Sequence, residues 1–386
     1  MTRTQTFIIF FSIVIVLYGL INTYIYLRGL QVISLGSPLR IWFTVVFWFL
    51  SLSYIAARLL ERIALSWLSD GLVWIGSFWM GAMAYFLIIL LAIDVLRLVN
   101  YIVPFFPDFL TRNLQHTKQV MALIVIGIVF LTVVGARFNA MMPRIQTLEL
   151  TIQKKSPLKE LNVAVVSDVH LGTIICNSHF TRIVEKINSL NPDIVLFAGD
   201  LVDEDIEPVI RQNLGETLRQ IKSKYGIYGI TGNHEYIGGV EPACKYLVEH
   251  GVTMLRDSVA QVADAFTLVG REDLSIHQFN GKNRKPLGDL MKDVNTSLPV
   301  ILMDHQPLRL DDAVNHGADI QLSGHTHHGQ LWPFNYISQA VYELSWGYKQ
   351  KGKTHSYVSC GVGTWGPPMR TGNRPEVVNV KLKFEN

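Results

Sequence analysis

Cysteine is scarce here: three in 386 residues, at Cys176, Cys244 and Cys360. An odd number so widely spaced makes neither a zinc knuckle nor a disulfide framework, and the thiols read as buried or idle. Charge is scarce too. Asp, Glu, Lys and Arg make up 17% of the chain, and the net charge of +3 is spread out rather than gathered in a patch. The basic footprint of a nucleic-acid binder is missing, so no nucleic acid is expected as a partner. No internal repeat and no low-complexity tract is present.

Apolar length is what the sequence has in excess. Four long stretches lie at about Phe7–Leu27, Ile41–Leu60, Leu72–Leu98 and Val120–Ala136, each close to the roughly 20 residues that cross a bilayer. Residues 1–136 therefore read as a multi-span transmembrane region. A cleaved signal peptide fits poorly, because the first stretch is long and three more follow. With four spans, the N-terminus and everything after residue 136 share one side. That side carries Arg3, Arg58, Arg62, Arg137, Arg144, Lys154, Lys155 and Lys159, against Arg28, Arg40, Arg97, Arg112 and Lys118 opposite. The bias favours a cytoplasmic C-terminal domain on a multi-pass protein of the cell's inner membrane.

Tyr101–Leu110 is too short to cross and reads as an interfacial segment. Asp94 lies three residues before Arg97 near the end of the third stretch, a spacing at which the two neutralise each other. Arg58, Glu61 and Arg62 lie where long side chains snorkel to the interface. Buried charges are so few that a transport path has little support.

Residues 137–159 form a junction, in which Thr147–Ile152 alternates in period two like a half-buried strand. From residue 160 to 386 strands and helices mostly alternate. Phe180–Leu190 and Leu214–Lys224 read as helices. Val252–Leu255, Ala265–Val269, Val300–Met303, Ile320–Ser323, Tyr357–Cys360 and Val377–Lys383 read as strands. The pattern suits an α/β domain of two packed sheets covered by helices. Gly361–Pro368 reads as an ordered loop.

Five short segments of this half collect His, Asp and Asn where strands should end. They are Asp168-Val169-His170, Gly199-Asp200-Leu201-Val202-Asp203, Gly232-Asn233-His234-Glu235, Asp304-His305-Gln306-Pro307 and Gly324-His325-Thr326-His327. A side chain at a strand's C-terminal end projects into the crevice where α/β folds place their sites. Imidazole, carboxylate and carboxamide without thiolate suit hard-to-borderline divalent ions. Asp168 and His170, two apart, can reach one ion. Asp200 is a natural bridge, with one oxygen for each of two ions. Asn233 offers a neutral oxygen, His305 an imidazole, and His325 and His327 can face different ions. His234 is suited to protonate a leaving oxygen, with Asp203 orienting it or an imidazole ligand.

Taken in order, these segments resemble the calcineurin-like metallophosphoesterase superfamily over about residues 160–386. The endings Gly324–Pro333 and Ser359–Arg370 resemble its membrane-associated bacterial branch of YkuE-like and YaeI-like phosphodiesterases and LpxG-type UDP-2,3-diacylglucosamine pyrophosphatases. The resemblance implies a two-sheet sandwich flanked by helices. It implies one ion on Asp168, His170, Asp200 and His327, another on Asp200, Asn233, His305 and His325, and His234 as the catalytic histidine. Two divalent ions are expected, Mn²⁺ first, with Fe, Zn²⁺, Ni²⁺ or Mg²⁺ as alternatives. Hydrolysis of a phosphoester or pyrophosphate by metal-activated water follows. The expected partners are the lipid bilayer and a phosphorylated lipid or lipid-linked substrate such as UDP-2,3-diacylglucosamine. A nonspecific phosphodiesterase and a non-catalytic membrane sensor are the alternatives. Arg271, Arg284 and Arg370 are candidate phosphate contacts, and Trp332, Trp346 and Trp365 either line a pocket or pack.

Overall fold

A computed structural model describes residues 3–61 and 63–385 of the chain. Arg62 and the side chain of Arg3, both counted above, lie outside the described residues. The chain divides into two compact units. One is Met1–Arg137 with Gly366–Met369, the other Phe138–Trp365 with Arg370–Asn386.

Among the described residues four helices are long and apolar enough to cross a membrane: Ser12–Leu30, Leu39–Glu61, Trp67–Ile102 and Leu114–Ala140. The third starts at Ser66, whose hydroxyl accepts from Ser69 N at 3.2 Å while the Ser69 hydroxyl accepts from Ser66 N at 2.9 Å. Two of the first unpaired N–H groups of that helix are thereby satisfied. Asp94 lies 3.5 Å from Arg97, as its spacing suggests, but it also pairs with Arg28 and accepts from Tyr24 Oη at 2.7 Å. Both of these come from the first helix, so this carboxylate ties two spans together. Arg58 pairs with Glu61 at 2.8 Å. In the Tyr101–Leu110 segment the third helix runs on to Ile102. Asn100 Oδ1 then accepts from Phe105 N and Phe106 N at 2.8 and 2.7 Å, turning the chain into a short helix, Asp108–Arg112.

The described residues of the second unit form twelve strands. In chain order these are β1 (Arg144–Ile152), β2 (Glu160–Val166), β3 (Ile194–Phe197), β4 (Ile227–Gly229), β5 (Val252–Met254), β6 (Ser258–Val262), β7 (Phe266–Gly270), β8 (Val300–Met303), β9 (Ile320–Ser323), β10 (Gly347–Lys351), β11 (Thr354–Val358) and β12 (Glu376–Phe384). They form two six-stranded sheets, ordered β1-β12-β2-β3-β4-β5 and β10-β11-β9-β8-β7-β6. Strands β2 to β5 run parallel, as do β7, β8, β9 and β11. β1, in the stretch read as a junction, is an edge strand paired in parallel with β12 from the far end of the chain.

Alternation decides which side chains meet between the sheets. Leu161, Val163 and Val165 of β2 join Leu196, Leu268, Ile301, Met303, Leu322 and Val380 in one buried cluster. β3, β7, β8 and β9 are buried at every position, as expected of parallel strands covered on both faces. The helix Asn177–Asn188 buries Phe180, Ile183, Val184 and Ile187 on one stripe. One expected element is shorter: Leu214–Lys224 keeps helix only over Leu214–Leu218. Beyond it, Asn188 takes Gln220 O with Nδ2 at 2.9 Å and Lys222 N with Oδ1 at 2.8 Å. A tertiary partner captures backbone groups that a continuing helix would need.

Candidate metal centre

Five loops leave the C-terminal ends of β2, β3, β4, β8 and β9 and converge. Backbone bonds hold them in place: Asp168 N to Gly199 O at 3.1 Å, His170 N to Asp200 O at 3.1 Å, and Gly324 N to His305 O at 3.0 Å. Gly199 has φ 89°, and a Cβ there would run into the His305 ring. Only glycine fits that turn. Five of the polar residues occupy left-handed backbone: Asp168 (φ 52°), His170 (54°), Asp200 (51°), His325 (72°) and His327 (45°). Such conformations cost of the order of 1–3 kcal/mol each and persist where the surroundings enforce them. Their gathering at one spot marks a built site.

The donors fall into three groups, each with one ligand atom per residue within 4.8 Å of the others. In the first, Asp168, His170 and His327, all buried, the two Nε2 atoms of the histidines stand 2.9 Å apart and Asp168 Oδ1 lies 3.4 Å from His327 Nε2. In the second, Asp200 Oδ2 is 3.0 Å from His305 Nε2, and His325 completes the set. Asn233 Oδ1 joins it at 2.7 Å from His325 Nδ1 and 3.3 Å from His305 Nε2. The other Asp200 oxygen accepts from His234 N at 2.9 Å. The third group is His170, Asp203 and His234. Asp203 Oδ1 sits 3.3 Å from His170 Nδ1 and 3.1 Å from His234 Nδ1. None of these three atoms is aligned for a hydrogen bond.

Electrostatics follow from burial and these neighbours. Burial, then the His305 cation, pushes the His325 imidazole down to about 3. Burial, His170 and Arg370 push His327 down as well. Both rings stay neutral and keep lone pairs. Burial alone would lower His234, but the Asp200 and Asp203 carboxylates outweigh it and hold the ring at about 9. The Nε2 atoms of His170 and His327 and the Asp168 carboxylate, all buried, converge within 3.4 Å, so a divalent ion would find several donors at once. The donor set fits divalent ions: imidazole, carboxylate and carboxamide, with no thiolate.

Three neighbours shape the site beyond the sequence motifs. Glu235 is buried and accepts from Gly232 N at 2.7 Å, Asp200 N at 3.2 Å and Val202 N at 2.8 Å, stapling two of the loops. Burial and then Asp200 push its carboxyl up to about 7. Asn373 donates to His327 O. The Trp365 ring stands 6.0 Å from that of His234. Glu235 is visible in its motif but its partners lie up to 35 residues away.

The three arginines expected at phosphate are directed to protein acceptors. Arg271 pairs with Asp304 at 3.1 Å and Arg284 with the same carboxylate at 2.8 Å, Arg271 and Asp304 buried and Arg284 largely so. Arg370 is fully buried and donates to Gly363 O, to Cys360 O at 2.7 Å, to Asn373 Oδ1 at 2.6 Å and to His327 Nδ1 at 3.0 Å. The acceptors are main-chain carbonyls and neighbouring side chains that only the folded loop assembles. Trp346 Nε1 donates to Glu376 at 3.0 Å, a packing role.

Residues 161–329 match the family model described as calcineurin-like phosphoesterase. A transmembrane protein with metallophosphoesterase domain from Danio rerio is 34% identical over 280 residues, 69% of this chain and 63% of that protein. The chain thus spans just under two thirds of that relative's length. An uncharacterized metallophosphoesterase of Campylobacter jejuni is 29% identical over 380 residues, 98% of this chain and 99% of its own. The uncharacterized metallophosphoesterase YkuE of Bacillus subtilis is 29% identical over 57% of this chain and 78% of its own length.

Proposed function

We propose, from the premise that this chain carries a calcineurin-like metallophosphoesterase domain at residues 161–329 beside four membrane-span helices, that it is a membrane-anchored dinuclear phosphohydrolase. The observation that carries the reading is the pair of donor groups around Asp168 and Asp200, each made of histidine and carboxylate atoms, all buried but the half-buried His325. In this reading Asp168, His170 and His327 hold one ion, Asn233, His305 and His325 the other, and Asp200 is shared. The ions, when bound, supply Lewis-acid charge to phosphoryl oxygens and acidify the attacking water.

The chain's own residues do the rest. Asp203 Oδ1 faces the Nδ1 atoms of both His170 and His234, so one carboxylate fixes a ligand ring and the catalytic ring together. His234, kept protonated by Asp200 and Asp203, gives its proton to the leaving oxygen. Trp365 packs on the His234 ring at the edge of the site and limits its rotation. Glu235 holds the Asp200 and Gly232 turns in place.

The substrate we propose is a phosphorylated or pyrophosphate-linked lipid, of the kind of UDP-2,3-diacylglucosamine, because the catalytic domain is tethered where such molecules concentrate. Mn²⁺ is the proposed ion. The excess of Arg and Lys on its side supports a cytoplasmic face of the inner membrane for the domain. The test is turnover by metal-stripped protein with Mn²⁺ restored, on bis-p-nitrophenyl phosphate, UDP-2,3-diacylglucosamine and a polyprenyl pyrophosphate. Wild type should recover activity, with preference for a lipid. His234→Ala and Asp200→Ala should not. Equal recovery in all three proteins sinks the site assignment.

A further inference from the structure

One surface next to the site is uncharged and largely apolar. From Gly329 to Tyr342 there is no charged residue. Within that run Trp332, Phe334, Tyr336, Ile337 and Val341 are 50%, 40%, 60%, 61% and 62% exposed. The helix Asn335–Val341 has no buried residue at all. Large apolar side chains turned outward from one ordered segment are unusual in a soluble surface and point to something that covers them.

The segment is not loose. Gly329, at φ 71°, lies tight against the backbone of Phe334 and Asn335. Trp332 N donates to Thr371 Oγ1 at 2.7 Å. The strap is also continuous with the metal centre. It follows His327 directly, and the Tyr342 ring stands 6.1 Å from that of His325. On the other flank Trp365, 51% exposed, leans on His234.

Chemistry selects the cover. Trp and Tyr beside aliphatic residues, with polar Asn335, Ser338 and Gln339 but no charge, is the composition that settles at a lipid–water boundary. The same chain carries four membrane-span helices, so lipid is the apolar phase this uncharged strap meets first. We infer that Trp332–Tyr342 is an interfacial lip that rests on a lipid surface and brings the centre to phosphate groups at that surface. The inference deepens the lipid-substrate reading above and rests on it. An amphiphile whose phosphate lies at the headgroup level reaches His234 and the metal donors without leaving the bilayer, while its chains stay in the lipid that the lip touches.

The test uses the full chain in lipid nanodiscs. On a Cys176→Ser background, an environment-sensitive fluorophore is placed at Ile337→Cys and, as a control, at exposed Lys245→Cys. Lipids brominated on the acyl chain should quench the first label and leave the second unchanged. No quenching at position 337 overturns the proposal, and so does energy transfer between labels on two copies, which assigns the strap to a second chain. Activity gives an independent arm. Ile337→Asp should lower turnover of a polyprenyl pyrophosphate in the disc by at least about tenfold, with turnover of soluble bis-p-nitrophenyl phosphate preserved. Equal loss on both substrates overturns the lip, because the strap would then act through the fold of the site. A wild type inactive on both substrates brings down the hydrolase reading, while the quenching result still decides the lip.

Discussion

Asp203 is the residue whose role is clearest from its neighbours. It accepts nothing in ideal geometry, yet it lies within 3.3 Å of two imidazole nitrogens. His170 and His234 hold it as an anion against the cost of burial. Replacing it by Asn keeps the shape and removes the charge. Asp203→Asn should weaken metal binding about 10–100-fold, read by competition with a coloured chelator, before any effect on folding. The cysteines provide a second residue-scale expectation. Burial pushes the Cys244 thiol up to about 12, and Cys360 is raised for the same reason. Thiolate forms only as pH rises through such values, so neither should react with iodoacetamide at pH 8. Cys176, partly exposed, should be the one that labels, as mass spectrometry of native protein would show.

At the scale of elements, a loop braces the end of a strand. Asp304 follows β8 directly and its two oxygens take Arg271, after β7, and Arg284, from the loop between. Removing the carboxylate would strand two largely buried cations. Asp304→Ala should therefore cost about 3–5 kcal/mol, seen as a lowered denaturation midpoint, whereas Asp289→Ala on the nearby surface should change little. The convergence of Asp168, His170, Asp200, Asn233, His305, His325 and His327 was legible, because each lies within a few residues of an apolar strand whose end fixes its place. Arg271, Arg284 and Arg370 were not. Their partners depend on which loops meet in space, and an arginine near a site motif reads the same whether it faces phosphate or a buried carboxylate. The end of the Leu214 helix was hidden for the same reason: Asn188, on another element, unwinds it. β1 was visible as a strand through its alternation, but its pairing with β12 joins residues more than 200 apart.

For the whole molecule, the question is why a phosphoesterase domain is tied to four spans. The span helices contain polar contacts between helices, Asn22 with Trp79, which is buried, and Asp94 with Arg28 and Tyr24, half-buried. These fix helix against helix and need no transport role. Anchoring confines the site to the membrane surface, which matters only if the substrate is there. The proposed cytoplasmic placement, which the charge bias supports, has its own test. In intact cells Cys176 should resist a membrane-impermeant maleimide and react once the inner membrane is opened; labelling of intact spheroplasts would put the domain outside.

The most direct measurement is the metal stoichiometry of the purified full-length protein, by elemental analysis after loading with Mn²⁺ and removal of excess. The account predicts two ions per chain, with His325→Ala keeping one and Asp200→Ala disturbing both. A wild-type chain that retains none, or one ion held equally well by both variants, would contradict a dinuclear centre.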